Sequence, residues 1–374
     1  MREDATFYYI VWVILLVLAL IERAQKRPFG KGFVALVFFI AAIIVGCRYE
    51  VGADWAGYLQ HYYTGVEYYS GDYNKGIEKS VEPLYAFFRY IFYSFGLSHA
   101  VFFIFLSLVS MYCYYKASKL LGIKFFMTVF FVYFSLVFLN YQFNVIRQGM
   151  MASFVWLAFA YKTVDNIKGS LISIAIALGF HYTALAFIPL VFLADRRFPI
   201  IEIAIIVGLS FACLIMDVSY RILSFFPILT VLDRTANFVT SETFHIEGGL
   251  DFGMIVMLAV FFFVYLYFKG GYKQDSHLRM LANVILFDFL LSCIFNTFNI
   301  FQERVCRVLF FSMVFLLPLI VEKFKKPGFK VIAMTVVIAY AFLTFPKTFA
   351  VHDDGYSTLL PYKIDLFQIF NGDK

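Results

Sequence analysis

The sequence contains few charged residues for its length. Only 15% of its 374 residues are charged, whereas 62% are hydrophobic, and the mean hydropathy is +0.80. A soluble globular protein is about 25% charged and about 45–50% apolar, so too few polar residues remain here to cover a surface that faces water. This shortage excludes a soluble enzyme, a disordered chain and a coiled coil.

Several motifs are also missing. The five cysteines are odd in number, lie in or at the ends of apolar stretches and show no C-x-x-C spacing, which argues against a disulfide framework or a zinc site. The sequence lacks a Walker A motif, a Rossmann glycine pattern, H-E-x-x-H, G-x-S-x-G and D-x-D. We therefore expect no cofactor, no bound metal and no ATP or nucleotide-sugar donor.

Long apolar segments are abundant. A membrane-spanning helix needs about 20 mostly apolar residues, and ten segments fit: 5–21, 32–47, 98–115, 125–141, 144–161, 199–216, 252–268, 278–296, 305–321 and 329–345. The apolar stretch 169–195 is interrupted near Gly179–His181 and forms either two short crossings or a re-entrant hairpin. The pattern predicts an all-α, polytopic integral membrane protein with ten to twelve transmembrane helices, in a single domain over 1–374. The amphipathic segment 84–96 is predicted to lie on the membrane surface.

The net charge of +6 is distributed unevenly among the connecting segments. One alternating set of connectors contains 18 basic and 5 acidic residues, and the other set contains 13 basic and 18 acidic residues. Because basic loops stay in the cytoplasm, the second set is expected outside, including the long loops 48–83 and 217–251 and the tail 346–374. The positive charge is thereby a topology signal and requires no nucleic acid partner.

The outer loop 48–83 contains several polar candidates among many tyrosines. Arg48 directly follows an apolar helix, where it can snorkel to the interface or present its guanidinium to a phosphate. Asp54 and Glu82 are external carboxylates that can act as a general base. Since Pro83 follows Glu82, the alternative for Glu82 is a favourable charge at a helix N-terminus.

A second group of polar residues begins an apolar helix at its outer end. Asn144, Arg147 and Gln148 share one helix face by their spacing, and no acidic residue is close in sequence. An arginine and two amides in this position can hold a phosphate or sugar hydroxyls. The alternative is a structural Arg147 that pairs with a distant carboxylate.

Further candidates lie later in the chain. Arg304 and Arg307 are at the outer entry of the 305–321 helix, where Glu303 can pair with Arg307 at i, i+4 spacing. His181 interrupts an apolar hairpin and is a base or, more commonly, a core histidine. Asp288 lies in the middle of an apolar segment, as acids on ion paths do.

An ordered set of these residues resembles the EpsG-like, Wzy-type polysaccharide polymerases. The matching pieces are R-x-x-x-G-x-D-x-x-x-Y from Arg48 to Tyr58, the Glu82-Pro83 pair, N-x-I-R-Q over 144–148, F-H-Y-T-A over 180–184, and Arg304 or Arg307. Their order and spacing agree over about residues 7–345, and the tail after 346 adds nothing to the match.

The resemblance implies a fold, an activity and partners. The fold is a GT-C-like or Wzy-like helical bundle in the bacterial cytoplasmic membrane. The activity joins oligosaccharide repeat units carried on undecaprenyl diphosphate at the outer, periplasmic or extracellular face, without nucleotide or metal. Chain-length regulator and flippase proteins are the implied protein partners.

The expected roles of the candidate residues follow from that reaction. The catalytic candidates are Arg147, for the leaving diphosphate, and Asp54, Glu82 and His181 as alternative bases. The substrate-binding candidates are Arg48, Tyr58, Asn144, Gln148, Arg304 and Arg307. Two other classes stay open: a ligase that uses the same lipid-linked donor, and a transporter or flippase, which the broken 169–195 stretch and Asp288 would suit.

Overall fold

The structure is a computed structural model that describes residues 4–65, 82–216, 218, 248–298, 301–349 and 357–370. Within these ranges every regular element is a helix, and Arg48 and Ile364 form an isolated β-bridge. Most of the predicted outer loop 217–251 and the second half of loop 48–83 lie outside the described residues.

The helices follow one another through the whole described chain. In chain order they are α1 (Thr6–Ala24), α2 (Lys31–Gly46), α3 (Trp55–Thr64), α4 (Pro83–Ser94), α5 (His99–Leu120), α6 (Phe126–Tyr133), the π-helical segments Phe134–Phe138 and Asn140–Asn144, α7 (Ile146–Lys162), α8 (Ile167–Phe180), a 3-10 turn Tyr182–Ala186, α9 (Phe187–Leu193), α10 (Ile200–Met216), α11 (Phe252–Tyr267), α12 (Lys269–Gln274), α13 (Ser276–Ile294), the π-helical segment Gln302–Cys306, α14 (Arg307–Phe310), α15 (Ser312–Lys323), α16 (Pro327–Thr344), and 3-10 turns Phe345–Phe349 and Leu366–Ile369.

Five helical stretches in the described residues are long and apolar enough to cross a membrane, and six shorter apolar helices accompany them. The five are Thr6–Ala24, His99–Leu120, Ser276–Ile294, Gln302–Lys323 and Pro327–Phe349. The all-α polytopic membrane fold is therefore confirmed, while the total of ten to twelve crossings stays a prediction.

The helix boundaries follow from local sequence. Ser98 and Asn166 accept hydrogen bonds from the first turns of α5 and α8, as N-cap residues do. The chain leaves helical geometry at Val145 and at His181, close to the predicted breaks between 141 and 144 and near 179–181. The predicted surface segment 84–96 forms α4, which begins at Pro83 in the first helical position.

The chain divides into two compact units, residues 1–185 with 317–374 and residues 186–316. The single transmembrane domain over residues 1–374 stays a prediction. In the first unit α5 packs between α2 and α7. A Cβ atom at Gly46 would lie 2.4 Å from the Ile104 side chain and 2.6 Å from the Ala100 carbonyl oxygen, so the α2–α5 contact requires glycine.

At one end of the first unit, the C-terminal tail crosses the start of the outer loop. The amides of Tyr49 and Gly52 donate to the carbonyls of Lys363 and Thr358, at 3.0 and 2.7 Å. The Tyr8 hydroxyl, at the start of α1, donates to the tail at Leu359 over 2.8 Å. The N-terminus, the loop and the tail therefore lie at the same end, as the charge pattern requires.

The opposite end of this unit is held by two glutamates. Glu22 accepts hydrogen bonds from the amides of Phe29 and Met127, and Glu322 accepts from those of Lys124 and Phe125. Both glutamates belong to the set of connectors that is predicted to be cytoplasmic. Each carboxylate thus joins segments that are far apart in sequence.

In the second unit α13 is buried over most of its length and packs against α10 and α11. Arg279 forms a 2.5 Å ion pair with Asp195 and also donates to its carbonyl oxygen. The Asn283 amide donates to the carbonyls of Ala194 and Arg196, both at 2.7 Å. These bonds fix the turn between α9 and α10 against α13.

Candidate functional site

The loop after α2 begins with a tight turn and then forms α3. Gly52 has a φ of +106°, which glycine adopts at little cost, and a Cβ atom there would lie 2.8 Å from the Phe143 carbonyl oxygen. α3 follows at Trp55 and buries Tyr58, His61 and Tyr62 against the bundle. The sequence predicts this stretch only as an external loop, because a single ten-residue helix leaves little periodic signal.

Arg48 is fully buried, at 0% exposure. Its guanidinium donates to the carbonyls of Val51, Val45 and Phe143, at 3.1, 2.5 and 3.1 Å, and lies over the Phe103 and Phe143 rings. Burial lowers the pKa of Arg48 to about 10, so it stays charged at neutral pH. Arg48 braces the loop from inside instead of presenting its guanidinium to a phosphate, because no part of it reaches the surface.

Asn144 connects the same loop to the start of α7. Its side-chain oxygen accepts a 2.8 Å hydrogen bond from the Ala53 amide, and its amide group lies 3.4 Å from the Asn140 side-chain oxygen. Asn144 is half-buried at the end of a π-helical segment. In this arrangement the predicted sugar-binding amide holds the backbone beside Asp54.

Arg147 and Glu82 form a direct ion pair, with 2.8 Å between Arg147 Nη1 and Glu82 Oε2. The Glu82 side chain is 4% exposed and that of Arg147 is 17% exposed. Glu82 is thus the distant carboxylate partner of Arg147 that the sequence analysis considered as an alternative to substrate binding. Glu82 faces this guanidinium and does not cap α4 with its side chain.

Two tyrosines complete the surroundings of this pair. The buried Tyr58 hydroxyl is hydrogen-bonded to Arg147, and burial raises the pKa of Tyr58 to about 12. The Arg147 guanidinium lies 5.9 Å from the centroid of the buried Tyr85 ring. Tyr58, Tyr85, Glu82 and Arg147 are hereafter called the Arg147 cluster, which α3, α4 and α7 build together.

The remaining candidates of the first unit have separate surroundings. Asp54 is exposed at the N-terminus of α3, and its charge acts on Tyr58. Gln148 is buried on α7, next to Arg147. His181, at the end of α8, lies with its Nδ1 atom 2.8 Å from the Thr183 hydroxyl. The structure therefore joins Tyr58, Glu82 and Arg147 directly.

The second unit contains the other two predicted arginines. Arg304 is half-buried within the π-helical segment Gln302–Cys306, and Arg307 begins α14. Arg307 forms a 2.5 Å ion pair with Glu303 at i, i+4 spacing, which the sequence offered as the structural alternative. Both arginines stay predicted substrate contacts.

Both predicted arginine groups occur next to π-helical geometry. Asn140–Asn144 ends just before Arg147, and Gln302–Cys306 includes Arg304. π-helical turns are rare and are frequently found at functional sites, because the extra residue redirects the side chains that follow. This feature was not visible in the hydropathy pattern.

His61 is the residue of this region that sequence reasoning missed. It is 4% exposed, its ring lies 5.4 Å from that of Tyr85, and its Nδ1 atom has no hydrogen-bond partner among the described residues. Burial, followed by the charges of Arg147 and Arg89, lowers the pKa of His61 to about 4. Placing a helix over 55–64 would have found it, since it lies one turn after Tyr58.

The arrangement can bind anions and move protons. Arg147 supplies a partly exposed positive charge, and Glu82 and His61 are candidate proton acceptors beside it. No group of three His, Cys, Asp or Glu side chains in the described ranges is arranged to hold a metal ion. Arg147 can stabilise a developing negative charge, and Glu82 or His61 can accept a proton.

The fold and the site define an all-α polytopic membrane protein with a part-buried Arg–Glu pair at the end where loop and tail meet. The chain belongs to the EpsG family, whose family model matches residues 31–364. The predicted resemblance is thereby confirmed, and the match also includes part of the tail that the sequence comparison had left out. Membership supports a polysaccharide polymerase-like role. No curated protein and no solved structure matches the chain.

Proposed function

We propose that this protein is a glycosyltransferase that polymerises oligosaccharide repeat units carried on undecaprenyl diphosphate, at the outer face of the bacterial cytoplasmic membrane. The observation that carries the proposal is the Arg147–Glu82 pair, which places a positive charge and a carboxylate 2.8 Å apart, in a member of the EpsG family. The predicted topology puts this cluster on the outer side, where lipid-linked repeats are joined.

The reaction requires charge stabilisation without a nucleotide. A hydroxyl of the acceptor repeat attacks the anomeric carbon of the donor, the bond to the diphosphate breaks, and the lipid diphosphate leaves with the bonding electrons. A fixed positive charge at the leaving group lowers the barrier of such a step. Arg147 is our candidate for this role, because its side chain is 17% exposed, whereas the nearby Arg48 is fully buried.

The other predicted residues would hold the sugars and the second phosphate. Tyr58, Asn144 and Gln148 surround the start of α7 and offer hydrogen-bonding groups to a sugar. Arg304 and Arg307 are proposed to contact the lipid diphosphate or the acceptor. The base that receives the hydroxyl proton is proposed among Asp54, Glu82 and the histidines.

The direct test is reconstitution of the reaction. A host strain that lacks this gene should accumulate lipid-linked repeats, and the purified protein in detergent should convert the extracted repeats into longer chains. Arg147→Ala should abolish the ladder of products on a gel. Arg196→Ala is the matched control, because Arg196 also forms a 2.8 Å ion pair, with Glu202. Normal polymer from Arg147→Ala at a normal protein level would overturn the assigned role.

The same strain separates the two rival functions. Loss of a polymerase leaves single repeats on the final acceptor, whereas loss of a ligase leaves long polymer on undecaprenyl diphosphate. Loss of a flippase leaves single repeats on the inner face, and the purified protein then makes no polymer. We expect the first result, with the chain-length regulator and flippase proteins acting as separate partners.

A further inference from the structure

His61 packs against the Arg147 cluster. It lies on the buried face of α3, one helical turn after Tyr58, and its ring packs on Tyr85 with 5.4 Å between centroids. The guanidinium of Arg147 lies over the same Tyr85 ring. His61 therefore shares its packing partner with the residue that we assign to the leaving group.

The Nδ1 atom of His61 is buried, and among the described residues it has no hydrogen-bond partner. A buried polar atom without a partner destabilises a protein by about 1–3 kcal/mol, so such atoms are rare in native structures and call for an explanation. A hydrogen bond from a bound hydroxyl group would satisfy this atom. The observation therefore points to a ligand that donates a hydrogen bond.

The titratable and charged groups around His61 lie on three helices. Tyr58 and Tyr62 lie on α3, Tyr85 and Arg89 on α4, and Arg147 on α7, with Glu82 paired to Arg147. The two arginines and burial hold the pKa of His61 at about 4, so its ring is neutral at neutral pH. In the tautomer that carries its hydrogen on Nε2, the unpartnered Nδ1 of a neutral imidazole is a proton acceptor.

We propose that His61 is the base that removes the proton from the attacking acceptor hydroxyl. This inference rests on the polymerase function proposed above. In the step, the hydroxyl proton passes to His61 Nδ1, the hydroxyl oxygen bonds to the anomeric carbon, and the diphosphate leaves with the electron pair of the broken bond. The imidazolium then releases its proton to water.

The position of Arg147 explains how so weak a base can act. Before the donor binds, the positive charges of Arg147 and Arg89 oppose protonation of His61. A diphosphate bound at Arg147 brings negative charge, which offsets this opposition and raises the proton affinity of the ring. His61 thereby becomes an effective base when the donor is in place.

The other histidines and carboxylates of this region have partners. The two ring nitrogens of His99 are engaged, with Nδ1 2.9 Å from the Tyr63 hydroxyl and Nε2 3.1 Å from the Gln368 side-chain oxygen. Glu82 holds Arg147, and His181 lies against Thr183. His99 is equally buried and serves as the matched control.

The experiment compares His61→Gln with His99→Gln in the detergent assay, using lipid-linked repeats extracted from the deletion strain. We expect His61→Gln to lower the polymerisation rate about 10²–10⁴-fold, the usual contribution of a general base. The acid limb of the wild-type pH–rate profile should disappear in His61→Gln, and His99→Gln should retain it. In His61→Ala, added imidazole should restore part of the rate.

The outcomes separate the two proposals. A wild-type protein that makes no polymer would overturn the polymerase function itself. A wild-type protein that polymerises while His61→Gln shows the same rate and pH profile would overturn the role of His61 alone. Equal losses in both glutamine variants, with unchanged pH profiles and no rescue by imidazole, would overturn it as well, because a structural role explains that pattern.

Discussion

Arg48 and Arg147 begin as similar predictions and end in different environments. Arg48 is fully buried and donates to three backbone carbonyls, whereas Arg147 is 17% exposed and faces the carboxylate of Glu82. Carbonyl oxygens are fixed by the fold and cannot leave, but a carboxylate competes with a phosphate for the same guanidinium. The partners of an arginine, more than its place at a helix end, therefore distinguish a bracing role from a binding role.

We expect the greatest loss of stability from the removal of Arg48. Arg48→Ala leaves three buried carbonyls without donors and a void between Phe103 and Phe143. A buried acceptor that loses its donor typically destabilises a protein by about 1–3 kcal/mol, and three acceptors are affected here. We expect little folded protein in size-exclusion chromatography of the detergent extract, whatever substrate is present. A well-folded Arg48→Ala protein that merely binds its donor weakly would contradict the bracing role.

The second prediction concerns Arg147 and the carboxylate beside it. Arg147→Gln should lower the polymerisation rate about 10²–10³-fold, the effect of removing one preorganised charge donor. It also leaves Glu82 buried and unpaired, so the melting temperature in detergent should fall. In Arg147→Gln/Glu82→Gln, the melting temperature should recover while the rate stays low.

The control for the second prediction is the exposed pair of Arg196 and Glu202, where the corresponding single and double variants should change neither quantity. Recovery of activity together with stability in the Arg147/Glu82 double variant would show that the pair only holds the fold. Arg147 would then brace the fold as Arg48 does.

The sequence predicted the helices better than their contacts. Long apolar runs mark spans directly, and the breaks at Val145 and His181 appear where polar residues interrupt them. α3 was missed because it is a single short helix, whose buried face is built from residues that also suit a membrane interface. A search for regular periodicity over 55–64 is the signal that would have shown it.

Contacts between segments that are far apart in the chain could not be predicted from the sequence, for a physical reason. Glu82 and Arg147 are 65 positions apart, and their meeting depends on how α4 and α7 both pack against α8. The tail supplies a second example, since its contacts with Tyr49 and Gly52 are backbone hydrogen bonds that leave no residue pattern. The site could therefore be predicted as a set of residue types on one side, but not as a cluster.

The third prediction uses pH to measure how the positive charge of Arg147 affects the pKa of His61. The folded-state pKa of His61 is about 4 and the usual value is about 6.5, so between these values the unfolded chain binds a proton that the folded chain does not. The unfolding free energy should therefore fall with decreasing pH across this window, by up to about 1.4 kcal/mol per pH unit, and change no further below it.

This third effect is measured as the difference between wild type and His61→Gln in the pH dependence of detergent unfolding. His99→Gln is the control. Arg147→Gln should shrink the difference, because one of the two charges that oppose protonation is gone. Equal pH dependence in wild type and His61→Gln would show that Arg147 does not act on this histidine.

The smallest effect is expected for the exposed ion pair between the tail and the loop. Lys363 and Glu50 form a 3.1 Å pair whose side chains are 50% and 51% exposed, a few residues from the fully buried Arg48. Exposed pairs contribute about 0.2–1 kcal/mol and are screened by salt. Lys363→Ala should therefore lower the melting temperature slightly at low salt and not at 1 M salt, and adding Glu50→Ala should change nothing more. A larger, salt-independent loss would mean that the tail is held on the loop by its side chains, whereas the backbone bonds of Tyr49 and Gly52 predict that the main chain holds it.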